Sequence, residues 1–229
     1  MKLSATKLTI IFFSALFAEL FALFFQLENL HLITKPLLMI LLFNWFWINS
    51  RGFVSLKYLI LLALFLSWLG DLFLLADKQN QTRFILGLVS FLAAHFCYIA
   101  YFFQIGKRNG IRFTPKISVS IAVLIYVAAL FLFLAPNLKS LQIPVLIYSL
   151  TLAAMLLSSI HAFDFKKHDF AKICVAGTIL FVISDSLLAI NRFYQPFEFA
   201  NIFIMLTYGI AQFLITIGAL RNLEKTSRE

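Results

Sequence analysis

The sequence has little charge, almost no cysteine and no long polar segment, and each scarcity excludes a class of protein. Only 13% of its 229 residues are charged and 62% are hydrophobic, a balance far from that of soluble globular chains. Cys97 and Cys174 both fall inside apolar runs, so we expect neither disulfides nor thiol chemistry. Since no polar stretch is long enough to fold separately, we predict a single transmembrane domain over residues 1–229.

Apolar residues, including 28 phenylalanines, instead fall in long blocks. A helix of about 20 residues, rising about 1.5 Å per residue, crosses the hydrocarbon core of a bilayer. Apolarity within the blocks is continuous rather than alternating, which favours helices over a β-barrel. The sequence therefore predicts an all-α polytopic membrane protein with 105–116 as its longest loop. The eight predicted spans are 8–27, 31–48, 57–76, 83–104, 117–135, 143–161, 170–190 and 198–220.

The basic residues predict the orientation of these spans. With the N-terminus inside, 14 of the 19 Lys and Arg residues fall on the cytoplasmic side, as the positive-inside rule requires. We therefore expect both termini in the cytoplasm and the chain in the inner (cell) membrane of a bacterium. The net charge of +9 then reflects topology and needs no nucleic-acid partner. The first span contains Glu19 and lacks a following cleavage pattern, so we expect a retained helix rather than a signal peptide.

Two aspartates lie inside apolar spans, Asp71 in LSWLGDLFLLA and Asp185 in FVISDSLLAINRF. An ionised carboxylate at membrane depth costs roughly 2.5–3.5 kcal/mol on insertion scales, so it persists where a partner, a proton or a function compensates. Both aspartates follow a small residue near the end of a span that runs outward. We predict that they share one polar site in the outer half of the bilayer; an inverted orientation would move that site toward the cytoplasm. The similarity of GDLFLL and SDSLLA also suggests a parallel repeat of two four-helix halves.

Other polar side chains within the spans converge toward the same cavity in this topology. They are Glu19, Lys35, His95, Tyr98, Tyr148 and Tyr208. Each also has a purely structural interpretation. Glu19 and Lys35 would form an ion pair between the first two helices, His95 would hydrogen-bond a neighbouring helix, and the tyrosines would pack or sit at the membrane interface.

The motifs leave three classes of function open. The sequence has no Gly-rich phosphate loop, HExxH, CxxC or Ser-His-Asp order, so we expect neither a cofactor nor a metal. Intramembrane carboxylates serve acid–base catalysis, proton-coupled transport, or a non-catalytic lipid-binding protein in which they pair with Lys35 and Arg192. The helices lack the paired Gly/Pro-broken segments that mark many transporter sites.

Five motifs, in order, resemble the YhhN-like lysoplasmalogenase family from the second helix to the eighth. They are TKPLLMILL at 34–42, GDLFLL at 70–75, GLVSFLAAHFCYIAYF at 87–102, GTILFVISDSLLAINRF at 177–193 and TYGIAQFLITIGA at 207–219. The resemblance implies an eight-helix membrane hydrolase that cleaves the vinyl ether bond of lysoplasmalogens. The products are a fatty aldehyde and glycerophosphoethanolamine or glycerophosphocholine.

This chemistry suits an aspartate pair without a metal. A vinyl ether hydrolyses through protonation on carbon, which needs a carboxylic acid and a nearby negative charge to stabilise the resulting cation. A low-dielectric site with two carboxyl groups keeps one of them protonated. We therefore predict Asp71 and Asp185 as catalytic, with Lys35 on the lipid phosphate or near Glu19 and with His95 and Tyr98 ordering the water. The full set of predicted supporting or substrate-binding residues is Glu19, Lys35, His95, Tyr98, Tyr148, Asn191, Arg192, Tyr208 and Gln212.

Overall fold

A computed structural model describes residues 5–50, 56–76, 80–108, 116–163, 165 and 169–226. Within these ranges the chain forms eight long α-helices and, in the described part, no strand. The helices are α1 Ala5–Phe24, α2 Glu28–Asn49, α3 Lys57–Leu75, α4 Gln81–Arg108, α5 Ile117–Leu134, α6 Gln142–His161, α7 Asp169–Ala189 and α8 Ala200–Thr226. Short 3₁₀ turns at Ala135–Asn137 and Lys139–Leu141 join α5 to α6, and a π-helical turn at Ile190–Tyr194 extends α7.

All eight helices are long and apolar enough to cross a membrane. Large apolar side chains cover the outside of the bundle; Phe17 and Leu132, for example, are 70% and 69% exposed. Such a surface is unfavourable in water but matches lipid tails. The protein is therefore a multi-span helical membrane protein, which confirms the predicted all-α class and its eight spans.

Two helix pairs with close backbone approach dominate the packing, α7 with α8 and α3 with α4. At Gly177 in α7, an added Cβ would lie only 2.9 Å from the carbonyl oxygen of Ala211 in α8. At Gly70 in α3, it would lie 2.6 Å from the ring of Phe91 in α4. Glycine at these positions lets the helices that carry the two aspartates sit directly against their neighbours.

Helix α5 packs more loosely than the others. Only Val127 and Leu134 are buried along it. It contacts α6 and the π-helical turn, and its buried residue Leu134 belongs to a small apolar cluster separate from the main core. The bundle is thus a tightly packed set of seven helices with α5 set against one side.

The predicted loop at 105–116 is partly wrong. Helix α4 continues through Ile105 to Arg108, with basic Lys107 and Arg108 in its last turn, and residues 109–115 lie outside the described ranges. Basic side chains stabilise a helix C-terminus through the helix dipole, which favours this extension. Helix α8 likewise continues to Thr226 rather than 220. The single domain, the orientation and the parallel repeat stay predictions.

Candidate active site

A polar cavity of about 230 Å³ has both aspartates in its wall. Asp71 comes from α3 and Asp185 from α7, and further walls come from α2, α4 and α8. Other polar side chains that line it are His31, Lys35, Ser184, Asn191, Arg192, Asn201 and Tyr208. Among the described residues, the two carboxyl groups make no hydrogen bond to each other, and each accepts one from a different tyrosine. The aspartates therefore belong to one cavity but have separate surroundings.

Asp71 is a buried carboxyl group with a cation beside it. Its side chain is 2% exposed, and the ammonium of Lys35 in α2 lies 4.0 Å from its Oδ1. The hydroxyl of Tyr208 in α8 donates a hydrogen bond of 2.8 Å to its Oδ2. Gly70, the preceding residue, lets the Phe91 ring pack against α3 at this level. A negative charge on Asp71 is therefore balanced by Lys35 and hydrogen-bonded by Tyr208.

Asp185 has no Lys or Arg at ion-pair distance within the described part of the chain. The hydroxyl of Tyr148 in α6 donates a hydrogen bond of 2.6 Å to its Oδ2. The Nε2 atom of His95 lies 3.9 Å from the same oxygen, beyond hydrogen-bond distance. A charge on this carboxyl group is thus less well compensated than one on Asp71.

His95 lies behind Asp185, in an aromatic cluster rather than in the cavity wall. Its ring is fully buried and packs edge-on against Tyr148 and Phe181, with centroids 5.3 and 4.9 Å away. Neither ring nitrogen has a hydrogen-bond partner among the described residues. His95 therefore supports the side chains around Asp185 from outside the cavity wall, and its role in ordering water stays a prediction.

Tyr98 also lies outside the cavity wall in the described structure. Its hydroxyl donates a 2.6 Å hydrogen bond to Oε1 of Gln212, whose amide nitrogen donates to the Ser67 hydroxyl at 2.9 Å. All three side chains are fully buried. These hydrogen bonds link α4, α8 and α3 one helical turn away from Tyr208 and Asp71. Tyr98 and Gln212 therefore hold together the helices that carry the site and do not line the cavity.

Glu19 takes a different partner from the one predicted. Its carboxylate is fully buried and accepts hydrogen bonds from Nδ1 of His31 at 2.8 Å and from the Thr34 hydroxyl at 2.6 Å. The predicted Glu19–Lys35 pair is therefore wrong, because Lys35 points to Asp71 instead. Thr34 and Lys35 are adjacent, about 100° apart around α2, so they face different neighbouring helices.

The π-helical turn brings two polar residues into the wall of the cavity. Asn191 and Arg192, both predicted, line it from this turn. The Asn191 side chain accepts a hydrogen bond from the backbone N–H of Phe197 at 3.3 Å, and the Arg192 guanidinium lies 4.6 Å above the Phe84 ring. A π-turn rotates the side chains that follow α7 away from their regular helical positions, and such turns are frequent at functional sites.

Sequence reasoning missed four residues of this region: His31, Thr34, Ser184 and Asn201. His31 had a usable signal, because it lies one helical turn before Lys35 and therefore on the same face of α2. Thr34, Ser184 and Asn201 had none, since isolated small polar residues are common in membrane helices.

Within the described ranges, no three His, Cys, Asp or Glu side chains group in a way that would hold a metal ion. Independence from metals stays a prediction.

The chain that forms this cavity is similar in sequence to a known protein family. The chain matches the YhhN family over residues 30–219. A lysoplasmalogenase of Mycobacterium tuberculosis is 32% identical over 159 residues, which make up 68% of this chain and 58% of the relative. Lysoplasmalogenase TMEM86B of Rattus norvegicus is 30% identical over 188 residues, 82% of this chain and 71% of the relative. The chain thus spans less than two thirds of the mycobacterial protein.

No solved structure matches the chain. The family match covers seven of the eight helices, from α2 to α8, and includes both aspartates. The motifs read from the sequence lie in that same region. The protein belongs to the YhhN family.

Proposed function

We propose that the protein hydrolyses the vinyl ether bond of lysoplasmalogens, releasing a fatty aldehyde and glycerophosphoethanolamine or glycerophosphocholine. The names of the related proteins support this proposal. The structural observation that carries it is the contrast between two carboxyl groups in one cavity. Asp71 has Lys35 4.0 Å away, whereas Asp185 has only neutral or distant partners.

Hydrolysis of a vinyl ether needs two carboxyl groups in different states. One must donate a proton to carbon, and the other must be negative to stabilise the oxocarbenium ion that forms. A pair of carboxyl groups in different environments provides both, as in the hydrolysis of glycosides, which has a similar cation-like transition state.

We assign the negative charge to Asp71 and the proton to Asp185. An ion pair with Lys35 and a hydrogen bond from Tyr208 compensate a charge on Asp71 in the low-dielectric interior. A charge on Asp185 would lack a cation, so its neutral acid form is the less costly one before reaction. The Tyr148 hydroxyl then stabilises the carboxylate that Asp185 becomes when it gives up its proton.

The reaction proceeds in three steps. The carboxyl proton of Asp185 moves to the vinyl carbon on the chain side, and the C=C electrons form the new C–H bond, which leaves an oxocarbenium ion next to the ether oxygen. Water adds to the carbon bonded to the ether oxygen and gives a proton to the Asp185 carboxylate. The hemiacetal then breaks its bond to the glycerol oxygen, which takes up a proton as the hemiacetal hydroxyl loses one, giving alcohol and aldehyde.

The cavity wall provides binding groups for the polar end of the substrate. Asn191 and Arg192 line it from the π-helical turn, and His31 and Lys35 line it from α2. Arginine binds phosphate through several N–H groups at once. We assign the lipid phosphate to Arg192, and we assign Lys35 mainly to Asp71.

The test is the purified protein in detergent with a 1-alkenyl lysophospholipid. We expect aldehyde release without a sealed vesicle or an ion gradient, and slow or no reaction with the matched 1-acyl lysophospholipid. In deuterated water the aldehyde should carry one deuterium on the carbon next to its carbonyl group, and the rate should fall several-fold. A protein that releases no aldehyde, but moves protons or solutes when reconstituted into vesicles, would contradict the proposal.

A further inference from the structure

We propose that the hydrocarbon chain of the substrate lies in an apolar slot between α5, α6 and α7, which meets the polar cavity at Asp185. This inference rests on the proposed function. The slot is bounded by Tyr126, Val127 and Leu130 of α5, by Val145 and Tyr148 of α6, and by Val182 and Ala189 of α7. Asp185 lines both the slot and the polar cavity.

The junction matches the covalent order of a lysolipid. Phe84, Asp185 and Leu188 are common to the slot and the polar cavity, so the two spaces meet there. A lysoplasmalogen has one chain joined to its polar end through the vinyl ether. With the chain in the slot and the phosphate in the cavity, the vinyl ether lies at the junction, and its chain-side carbon lies toward the slot. That carbon is the one that Asp185 must protonate.

The same face of α5 continues the slot along the membrane. A second apolar groove of about 590 Å³ begins where the slot ends, and Tyr126 and Val182 line both. Every fourth residue of α5 faces one of the two spaces: Ser118, Ala122, Tyr126, Leu130 and Leu134. This stripe is about 24 Å long at the helical rise per residue, most of the hydrocarbon thickness of a bilayer.

A hydrogen bond divides the slot from the second groove. The Tyr126 hydroxyl donates to the Ser186 hydroxyl at 2.8 Å, and it bridges α5 to α7 where the two helices otherwise stand apart. The slot itself is narrow, about 40 Å³. Because α5 is loosely packed, a small outward movement of this helix widens the slot for a single chain entering from the bilayer. Tyr126 then limits how far the chain reaches.

The test compares two tryptophan variants on α5. Val127→Trp fills the slot, and Ile125→Trp adds the same bulk to a residue that is 63% exposed and lines neither space. For a long-chain alkenyl lysophosphatidylcholine, we expect Val127→Trp to raise KM about tenfold or more, as when roughly two methylenes lose their contacts. For a short-chain analogue we expect little change, and for Ile125→Trp little change with either substrate.

Tyr126→Ala provides a second readout that does not depend on the folding of Val127→Trp. Tyr126 is 45% exposed, so its truncation joins the slot to the groove without opening the core. We expect the preferred chain length to increase, with Tyr126→Phe in between. Equal effects of Val127→Trp and Ile125→Trp on both substrates would overturn the proposal, as would an unchanged chain-length profile in Tyr126→Ala. A wild-type protein that releases no aldehyde from any chain length would instead refute the proposed function.

Discussion

Removing a single hydroxyl group from Tyr148 tests which aspartate is the acid. The Tyr148 hydroxyl lies 2.6 Å from Asp185 Oδ2. In the proposed mechanism that carboxyl group gains a negative charge as it donates its proton. A hydrogen bond to a charged group contributes about 1.5–3 kcal/mol. Because this charge is larger in the transition state than in the ground state, Tyr148→Phe should lower kcat roughly 10- to 100-fold.

Tyr208→Phe is the matched control on the other aspartate. The Tyr208 hydroxyl donates to Asp71 at 2.8 Å. In the proposed mechanism Asp71 stays negative throughout, so this hydrogen bond changes little between the ground and transition states. We expect a fall in kcat of less than about threefold, since uniform stabilisation does not accelerate the chemical step. Both tyrosines are hydrogen-bonded to buried carboxyl groups, so the two variants should lose similar stability.

The assay is initial-rate aldehyde release in detergent at saturating substrate, with thermal unfolding of each variant measured in parallel. Tyr98→Phe, which loses a hydrogen bond to Gln212 and none to a carboxyl group, sets the background of a structural change. If Tyr208→Phe loses as much kcat as Tyr148→Phe while both remain folded, the acid is not Asp185.

Four further predictions concern two charged side chains, the helix packing and the topology. Lys35→Met should lower kcat more than it raises KM, because a buried Asp71 without a cation would not keep the negative charge that stabilises the oxocarbenium ion. Arg192→Ala should mainly raise KM for the phosphate-bearing substrate. Gly177→Val should lower the unfolding free energy by about 1–3 kcal/mol, seen as a lower Tm in detergent, because its side chain would press on the backbone of α8. Reporter fusions at the C-terminus and within 105–116 should both indicate the cytoplasm.

Three contrary results would overturn the charge assignment, the helix packing and the topology. A Lys35→Met variant with normal kcat would contradict the assignment of the negative charge to Asp71. An unchanged Tm for Gly177→Val, with the exposed Val119→Ala as reference, would mean that α7 and α8 do not pack as closely as described. A periplasmic C-terminal reporter would reverse the orientation and the side to which the cavity opens.

The fold was largely predictable because its signals are local. Each span is an apolar block of helical length, and membrane helices need no distant partner to satisfy their backbone hydrogen bonds. The errors lie at helix ends, as at Arg108 and Thr226, where polar and basic residues continue a helix beyond the apolar block. The placement of Asp71 and Asp185 in a polar cavity was also predictable, because a carboxyl group that faces lipid is costly.

The partners of the two aspartates were not predictable in the same way. Tyr208 bonds Asp71 across 137 residues of sequence, and the rotation of α8 that allows this contact depends on packing with α3 and α7. Lys35 was expected near Glu19 because both lie toward the same end of neighbouring helices. The depth of a residue in the membrane does not determine which way its side chain faces. Thr34, which bonds Glu19, directly precedes Lys35 in α2, yet the two side chains point about 100° apart around the helix.

The most direct test of the central claim is the turnover of Asp71→Asn and Asp185→Asn with the alkenyl lysophospholipid. Both changes keep the size of the side chain and remove its capacity to carry a proton or a full charge. Each variant should remain folded and release aldehyde at least about 10²-fold more slowly than the wild type, the scale of general acid catalysis. Near-normal turnover by both folded variants would contradict the account.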